Sequence, residues 1–455
     1  MRARKWMLTL GVVTLFAGLL TSCSGGSNGG KTELTVAYGS TYVFDSEDLA
    51  TKYWNSIKEQ FDAAHKDATL KLVPIPGSYN DIVSKLSLDY RSPSTAPDVA
   101  QLPTGQLGDW QSSGYLAQID DQLASSDFWK TFPKPVQEET QFDGKTYAVS
   151  MGDNVSSLFY NKQMFAQAGL PVPWNPRNWA DIVDASNRIK QAVPGVTPLW
   201  LAAGTSQGTN GILQGGGNLI NGSKTPTIYD SASKKWVIDS PGLRQTLDFY
   251  KQIYSAGLGP AQSDLFSPSA VTVPLTLFQQ GKLAIAVGSN YYFGNWSKFV
   301  SAPEWPQAAD VMDVAKIPTA DGQAPGAAST LGGWAIGVYS GSKHADLSWD
   351  LVKLMENEQN LVNAANWAGF VPPNSQYVKS PDYVNFAPHQ EFFGDILNYA
   401  TPTPSNADYS AWGQGFEEAT GLLVSNPSTT VDQAIEQLKS TATKSLGEDK
   451  VKTLP

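Results

Sequence analysis

The sequence predicts an α/β protein built from more than one folding unit, on three observations. The chain has 455 residues, 41% hydrophobic and 16% charged, which is enough for a large core and for two or three domains. From residue 34 onward, extended and helical patterns alternate as β-α-β-α-β, the mark of a largely parallel sheet. The stretch Gly144–Asn161, GKTYAVSMGDNVSSLFYN, reads as two extended segments, Tyr147–Met151 and Val155–Tyr160, on either side of three turn residues, Gly152-Asp153-Asn154. A polar elbow between buried strands marks a crossing between units and places Asp153 and Asn154 in the cleft between them. The plain alternative is a surface turn.

The first thirty residues read as a processing signal and a tether. Arg2, Arg4 and Lys5 form a positive start, and Trp6–Leu20 is an apolar run too short to span a bilayer. Leu20-Thr21-Ser22-Cys23 resembles the bacterial lipobox, which implies cleavage before Cys23 and a diacylglycerol on its thiol. Residues 1–22 are then a lipoprotein signal peptide. Cys23 is the sole cysteine, so no disulfide within the chain is available to it. Ser24–Gly30, SGGSNGG, reads as a flexible link, making 23–30 the tether.

In the body, Leu34–Tyr38 predicts a strand. Trp54, Ile57, Phe61 and Ala64 fall at helical spacing, and Leu70–Ile75 is a second strand. Asn80 or Asp81 caps a helix carrying Ile82, Leu86 and Leu88, and Asp98-Val99 opens a third strand. Beyond the elbow, Asn161 caps a short helix that stops at Gly169, Asn178 caps a helix from Trp179, and Ser240-Pro241 starts another. Gly204–Gly222 is a loop or broken helix. Leu283–Val287 is a buried strand followed by an aromatic loop, Asn290–Trp296. Val311–Ile317 and Trp334–Val338 are strands, and one long helix covers roughly Asp346–Ala365. Asn374–Ser410 is irregular, and Trp412–Leu423 and Thr430–Leu446 are the last helices.

The formal charge of −10, with no basic run after the first five residues, argues against a nucleic-acid partner. The three histidines are widely spaced, and HExxH, CxxC, GxSxG, the P-loop and the dinucleotide glycine fingerprint are missing, which argues against a metal or cofactor. Fourteen tryptophans are more than a core needs. A neutral sugar site requires aromatic faces for C–H surfaces beside paired donors and acceptors for hydroxyls. Such sets stand at predicted element ends: Asp153 and Asn154; Asn290, Tyr291, Tyr292 and Trp296; Gly332, Gly333 and Trp334; and Trp412 beside Asp408 and Tyr409. Each of these residues taken singly can also be plain core packing.

At these residues the chain resembles the extracellular solute-binding proteins of the maltose-binding-like sugar type, the lipoprotein components of bacterial ABC importers. The resemblance runs through APDVAQLPTGQLGDWQSSGYLAQIDD (Ala96–Asp121), FDGKTYAVSMGDNVSSLFYNKQMFAQAGL (Phe142–Leu170), WADI (Trp179–Ile182), FQQGKLAIAVGS (Phe278–Ser289), GGWAIGVYSGSKHADLSWDLVKLM (Gly332–Met355) and TVDQAIEQLK (Thr430–Lys439).

It implies a two-lobed periplasmic-binding-protein-like fold of type II, with hinge strands and a ligand cleft between the lobes. Lobe one would take 31–151 and 318–355, and lobe two 152–317 and 356–455. Asn154 falls where the family has a ligand-touching hinge carboxylate, Tyr291 and Trp412 where it has stacking tryptophans, and Trp334 at a tryptophan after paired glycines. The family's tryptophan and aspartate after the Pro-Asp strand are replaced by Leu102 and Gly105, which puts maltose itself in doubt and turns attention to Gln101, Thr104 or Gln106.

The implied function is capture of a neutral sugar or oligosaccharide and its delivery to an ABC permease, by a monomer with no catalytic activity held at the outer face of the cell membrane. The alternatives are a surface-anchored glycoside hydrolase, which needs two convergent carboxylates, and a binder of a charged solute.

Overall fold

The computed structural model describes residues 31–208, 211–297, 304–406 and 408–455. The signal peptide, the tether and Cys23 lie outside the described residues.

The chain starts with strand β1 (Thr32–Gly39), helix α1 (Glu47–Ala64), strand β2 (Ala68–Ile75), helix α2 (Tyr79–Asp89) and strand β3 (Val99–Pro103). β1 pairs in parallel with β2 along its whole length and with β3 at Val36 and Ala37. α1 buries Tyr53, Trp54, Ile57 and Phe61 against this sheet, a stripe with the period of a helix. The cap of α2 is Ser78, not Asn80 or Asp81. Ser78 Oγ accepts from the Asp81 amide, and the Asp81 carboxylate accepts from the Ser78 amide at 2.8 Å. Asp81 is thus the third helical residue of a capping box. Helices α3 (Leu107–Ser112) and α4 (Lys134–Glu139) follow.

Strand β4 is continuous over Val149–Asn161, so the predicted elbow is not a turn. The reason is pairing. Gly152, Asp153 and Asn154 lie opposite Trp334, Gly333 and Gly332, and Asp153 exchanges both backbone hydrogen bonds with Val371, at 3.0 and 2.8 Å. Local turn preference loses to a fully satisfied backbone.

Asn161 caps helix α5 (Lys162–Gln167) by accepting from the Gln163 and Met164 amides, as predicted, and Gly169 ends the turn at φ +63°. Helix α6 (Trp179–Ala192), strand β5 (Thr197–Trp200), helix α7 (Pro241–Ser255) and strand β6 (Leu283–Ser289) come next. Asn178 and Ser240 cap α6 and α7 with their side chains. Within the predicted loop or broken helix, Ile212–Gly216 and Gly217–Gly222 are helical, with the run interrupted at Gly215. The predicted aromatic loop is helix α8 (Tyr291–Ser297).

After strand β7 (Met312–Ala315) and strand β8 (Thr330–Val338), the predicted long helix is two, α9 (Ala345–Met355) and α10 (Glu358–Ala368), because Asn357 caps the second. The irregular region 374–410 contains short helices, Pro381–Val384 and Gln390–Ile396, and strand β9 (Thr401–Pro402). Helices α11 (Tyr409–Ser425) and α12 (Val431–Leu446) pack on each other.

The main sheet runs β2-β1-β3-β8-β4-β6-β5, with β7 on β4 and β9 on β8. β4 changes partners part-way. Its residues up to Val155 pair with β8, while Ser156–Tyr160 pair with β6 and Leu158–Asn161 with β7. One strand therefore belongs to both halves of the molecule. Among the described residues no helix is long and apolar enough to cross a membrane.

Candidate functional site

The site forms where β8 crosses β4. A Cβ on Gly333 would lie 2.2 Å from the Gly152 carbonyl oxygen, and one on Gly152 would lie 2.4 Å from the Phe370 ring. These glycines let the strands approach, and a register shift follows between Trp334 and Ala335. The Gly333 amide donates to Thr104 Oγ1 at 2.9 Å, which ties the crossing to the end of β3.

Trp334 meets two tyrosines from other segments. Tyr42 follows β1, with ring centroids 6.3 Å apart and planes at 56°. Tyr79 opens α2, at 6.2 Å and 71°. The two tyrosines lie 6.1 Å from each other. Both stand past the carboxyl ends of parallel strands, where α/β sheets bind ligands. Tyr42 is 42% exposed. Burial pushes the Tyr79 hydroxyl up to about 12, while a hydrogen bond with Gln106 acts the other way.

The opposite wall comes from the second half. Tyr291 begins α8, and its hydroxyl accepts from Gln214 Nε2 at 2.6 Å. The same amide's Oε1 accepts from the Tyr292 hydroxyl at 3.2 Å. Burial pushes the Tyr291 hydroxyl up, and Tyr42 adds to the effect across the gap. Tyr409, first in α11, likewise senses Tyr79 after burial and Glu417. Tyr291 is thus coupled electrostatically to Tyr42, and Tyr409 to Tyr79. The halves also touch at the rim, where a Cβ on Gly108 would fall 1.8 Å from the Ser405 carbonyl oxygen.

Asn154 is half-buried, and its Oδ1 has no hydrogen-bond partner. It is a free acceptor on the same face of the β4–β8 pair as Trp334. Asp153 does not join it, because neighbours on a strand point to opposite faces. Its carboxyl is fully buried on the other side, where Oδ1 accepts from Ser150 Oγ at 3.0 Å. Asn290 is committed to backbone. Its Oδ1 accepts from the Val155 amide at 2.9 Å, and its Nδ2 donates to the Gly369 carbonyl at 2.7 Å.

Tyr292 and Trp296 are fully buried because the segment is helical. Spaced four apart, they share the core face, and Trp296 Nε1 donates to the Leu275 carbonyl at 3.2 Å. Trp412 is also fully buried. Its ring lies nearly parallel to Phe416 at 5.6 Å and to Tyr409 at 6.4 Å, and its Nε1 donates to the Val237 carbonyl at 2.7 Å. Of the nine predicted ligand-site residues, Asn154, Gly333 and Trp334 share the β4–β8 pairing, and Tyr291 couples to Tyr42, a neighbour of Trp334. Asp153, Asn290, Tyr292, Trp296 and Trp412 are turned to the core or to the backbone.

Of the first-half residues, Gln101 is buried and accepts from the Gly39 amide at 3.1 Å, Thr104 holds Gly333, and only Gln106 reaches the site, through Tyr79. Tyr42 and Tyr79 went unnoticed in the sequence, although their place after β1 and β2 was the available signal. Tyr409 stood out there only as a neighbour of Trp412. Among the described residues no cluster of three or more His, Cys, Asp or Glu could hold a metal.

The family model for bacterial extracellular solute-binding proteins matches residues 56–389. The chain belongs to this family. As a solute-binding protein it is similar along most of its length to two relatives. The galactooligosaccharide-binding protein of Bacillus subtilis is 21% identical over 85% of this chain and 86% of its own. A probable ABC transporter-binding protein of Deinococcus radiodurans is 24% identical over 84% and 89%.

Solved structures share the fold. The sugar-binding protein MalE of Xanthomonas citri superposes with a TM-score of 0.75 at 20% identity, covering 90% of this chain and 96% of its own. The GacH receptor of Streptomyces glaucescens superposes at 0.71 and 21%, covering 92% and 99%. The solute-binding protein accordingly has their two-lobed architecture.

Proposed function

We propose that this solute-binding protein captures a neutral sugar or oligosaccharide between its lobes and presents it to an ABC permease, without chemical change to the ligand. The observation that carries this is the cluster of Tyr42, Tyr79 and Trp334 in the first half, coupled to Tyr291 and Tyr409 of the second, with a free Asn154 oxygen on the strand pair that carries Trp334. Pyranose rings present apolar C–H faces for such rings and hydroxyls for such an acceptor. The amides Asn154, Gln106 and Gln214 are uncharged, which favours a neutral ligand. A ligand touching rings on both walls favours the closed arrangement, as population shift requires. Relatives named for galactooligosaccharide and structures named for maltose-type sugars support the class.

We infer the lobes as 31–151 with 318–355, and 152–317 with 356–455. α10, at the start of the second lobe's closing segment, also touches the first, where Gln60 Nε2 donates to Asn360 Oδ1 at 2.9 Å. We infer further that a lipid on Cys23 holds a monomer at the outer membrane face.

A thermal-shift screen of mono-, di- and oligosaccharides tests the reading. A sugar at about a hundred times its Kd adds roughly 2.7 kcal/mol of stability, so hits are expected among neutral saccharides. Shifts by polyamines or sugar phosphates alone would overturn it.

A further inference from the structure

Asp153 and Glu139 are both fully enclosed, at 0% and 2% exposure, and their carboxyls face each other behind the β4–β8 crossing. Asp153 Oδ2 and both Glu139 carboxyl oxygens lack any other partner of ordinary hydrogen-bond geometry. Glu139 ends α4 and also faces Thr104, whose hydroxyl oxygen accepts from the Gly333 amide. Gly333 in turn lies opposite Asp153 and next to Trp334. The acid pair thus lies beside the β4–β8 pairing that the Thr104–Gly333 hydrogen bond ties to β3.

The buried charged groups around the pair are all acidic. Besides the pair itself, β3, β4 and β8 carry no charged residue. On α4, Lys134 and Glu138 are exposed and pair with each other at 3.1 Å. On α10, Glu358 is exposed, and at the α9–α10 junction Glu356 is buried with both oxygens unpartnered. Glu356 acts on Asp153 with the same sign as Glu139. Two buried carboxylates with no cation cannot both ionise, so the pair keeps at least one proton. Burial and the neighbouring carboxyl push Asp153 well above the usual carboxylate range, and burial pushes Glu139 up as well.

We propose that Glu139 and Asp153 share one proton and act as positioning residues, holding β4 and β8 in the register that presents Trp334 and Asn154, and that loss of this proton loosens the crossing. The link to ligand binding rests on the sugar-site reading above; the device itself does not.

The test therefore uses no ligand. Hydrogen exchange of the peptide spanning Thr330–Val338, expressed as protection against its intrinsic rate, is followed from about pH 5 to about pH 9. In the intact protein, protection is expected to fall by up to about tenfold per pH unit once the pair begins to titrate. The Glu139→Gln/Asp153→Asn double variant, which keeps a hydrogen bond and no charge, is expected to show a flat profile. Glu356→Gln alone is expected to keep the slope. On the intact protein at neutral pH, infrared difference spectra are expected to contain a neutral carboxylic acid band that the Glu139→Gln/Asp153→Asn double variant removes. A flat profile in the intact protein, an unchanged slope in the double variant, or no such band would each overturn the proposal. Failure of every sugar to bind would overturn only the ligand reading.

Discussion

Trp334 and Trp412 differ in what lies against their rings. Tyr42 meets Trp334 tilted at 56° and Tyr79 meets it T-shaped at 71°, whereas Phe416 and Tyr409 lie within 10° and 14° of the Trp412 plane. Trp412 thus has stacked partners on its ring, whereas Trp334 has none among its aromatic neighbours. Trp334→Ala is expected to weaken sugar binding by about 1–3 kcal/mol in calorimetry. Trp412→Ala is expected to lower folding stability by roughly 3–5 kcal/mol in denaturant titration. Wild-type affinity in the first variant would remove Trp334 from the site. The sequence showed both as aromatics at element ends and could not separate them. What separates them is the phase of α11, in which Trp412 and Phe416 are i and i+4 on the core side. The same limit hid Tyr42 and Tyr79, which become neighbours of Trp334 only when β1, β2 and β8 share a sheet.

Among the elements, β4 and α8 depend on each other. The Asn290 side chain, just ahead of α8, satisfies the Val155 amide where β4 changes partners, and also the Gly369 carbonyl. Asn290→Ala leaves buried backbone groups unpaired and is expected to cost about 1–3 kcal/mol of stability, read by chemical denaturation. An Asn290→Asp variant keeps the acceptor for Val155 and loses the donor to Gly369, so part of the loss should remain. Caps such as Asn161, Asn178 and Ser240 were legible because a cap is a contact within three residues. The unbroken β4 was not, because Trp334, Gly333, Gly332 and Val371 lie far along the chain. Helix α8 was hidden by NYYFGNW, whose aromatics and glycine point away from helix on propensity alone.

For the whole molecule, closure on a ligand predicts a smaller radius of gyration by small-angle scattering when the best-binding saccharide saturates the cleft. An unchanged radius would mean a preformed closed site. Stability should also depend on pH through two partly enclosed acids. Burial pushes Asp45 up to about 7, and burial with Glu418 pushes Glu417 up to about 8. Both titrate near 4 when unfolded, so the folded chain holds their protons more tightly. Their contribution is complete below about pH 4 and is lost as the pH climbs through about 7 and 8. Asp45→Asn should therefore gain in Tm on wild type between about pH 5 and about pH 8, and a constant difference would contradict the assignment. The general architecture was legible at this scale because β-α-β alternation repeats over many residues, whereas the cleft was legible only in part because it is assembled from distant ends. The partner change within β4 also limits what protein engineers can do with this scaffold. A chimaera grafting one half onto a foreign receptor must splice inside a hydrogen-bonded ribbon, near Val155–Ser156, so a workable donor has to match its backbone there before any ligand preference can be transplanted.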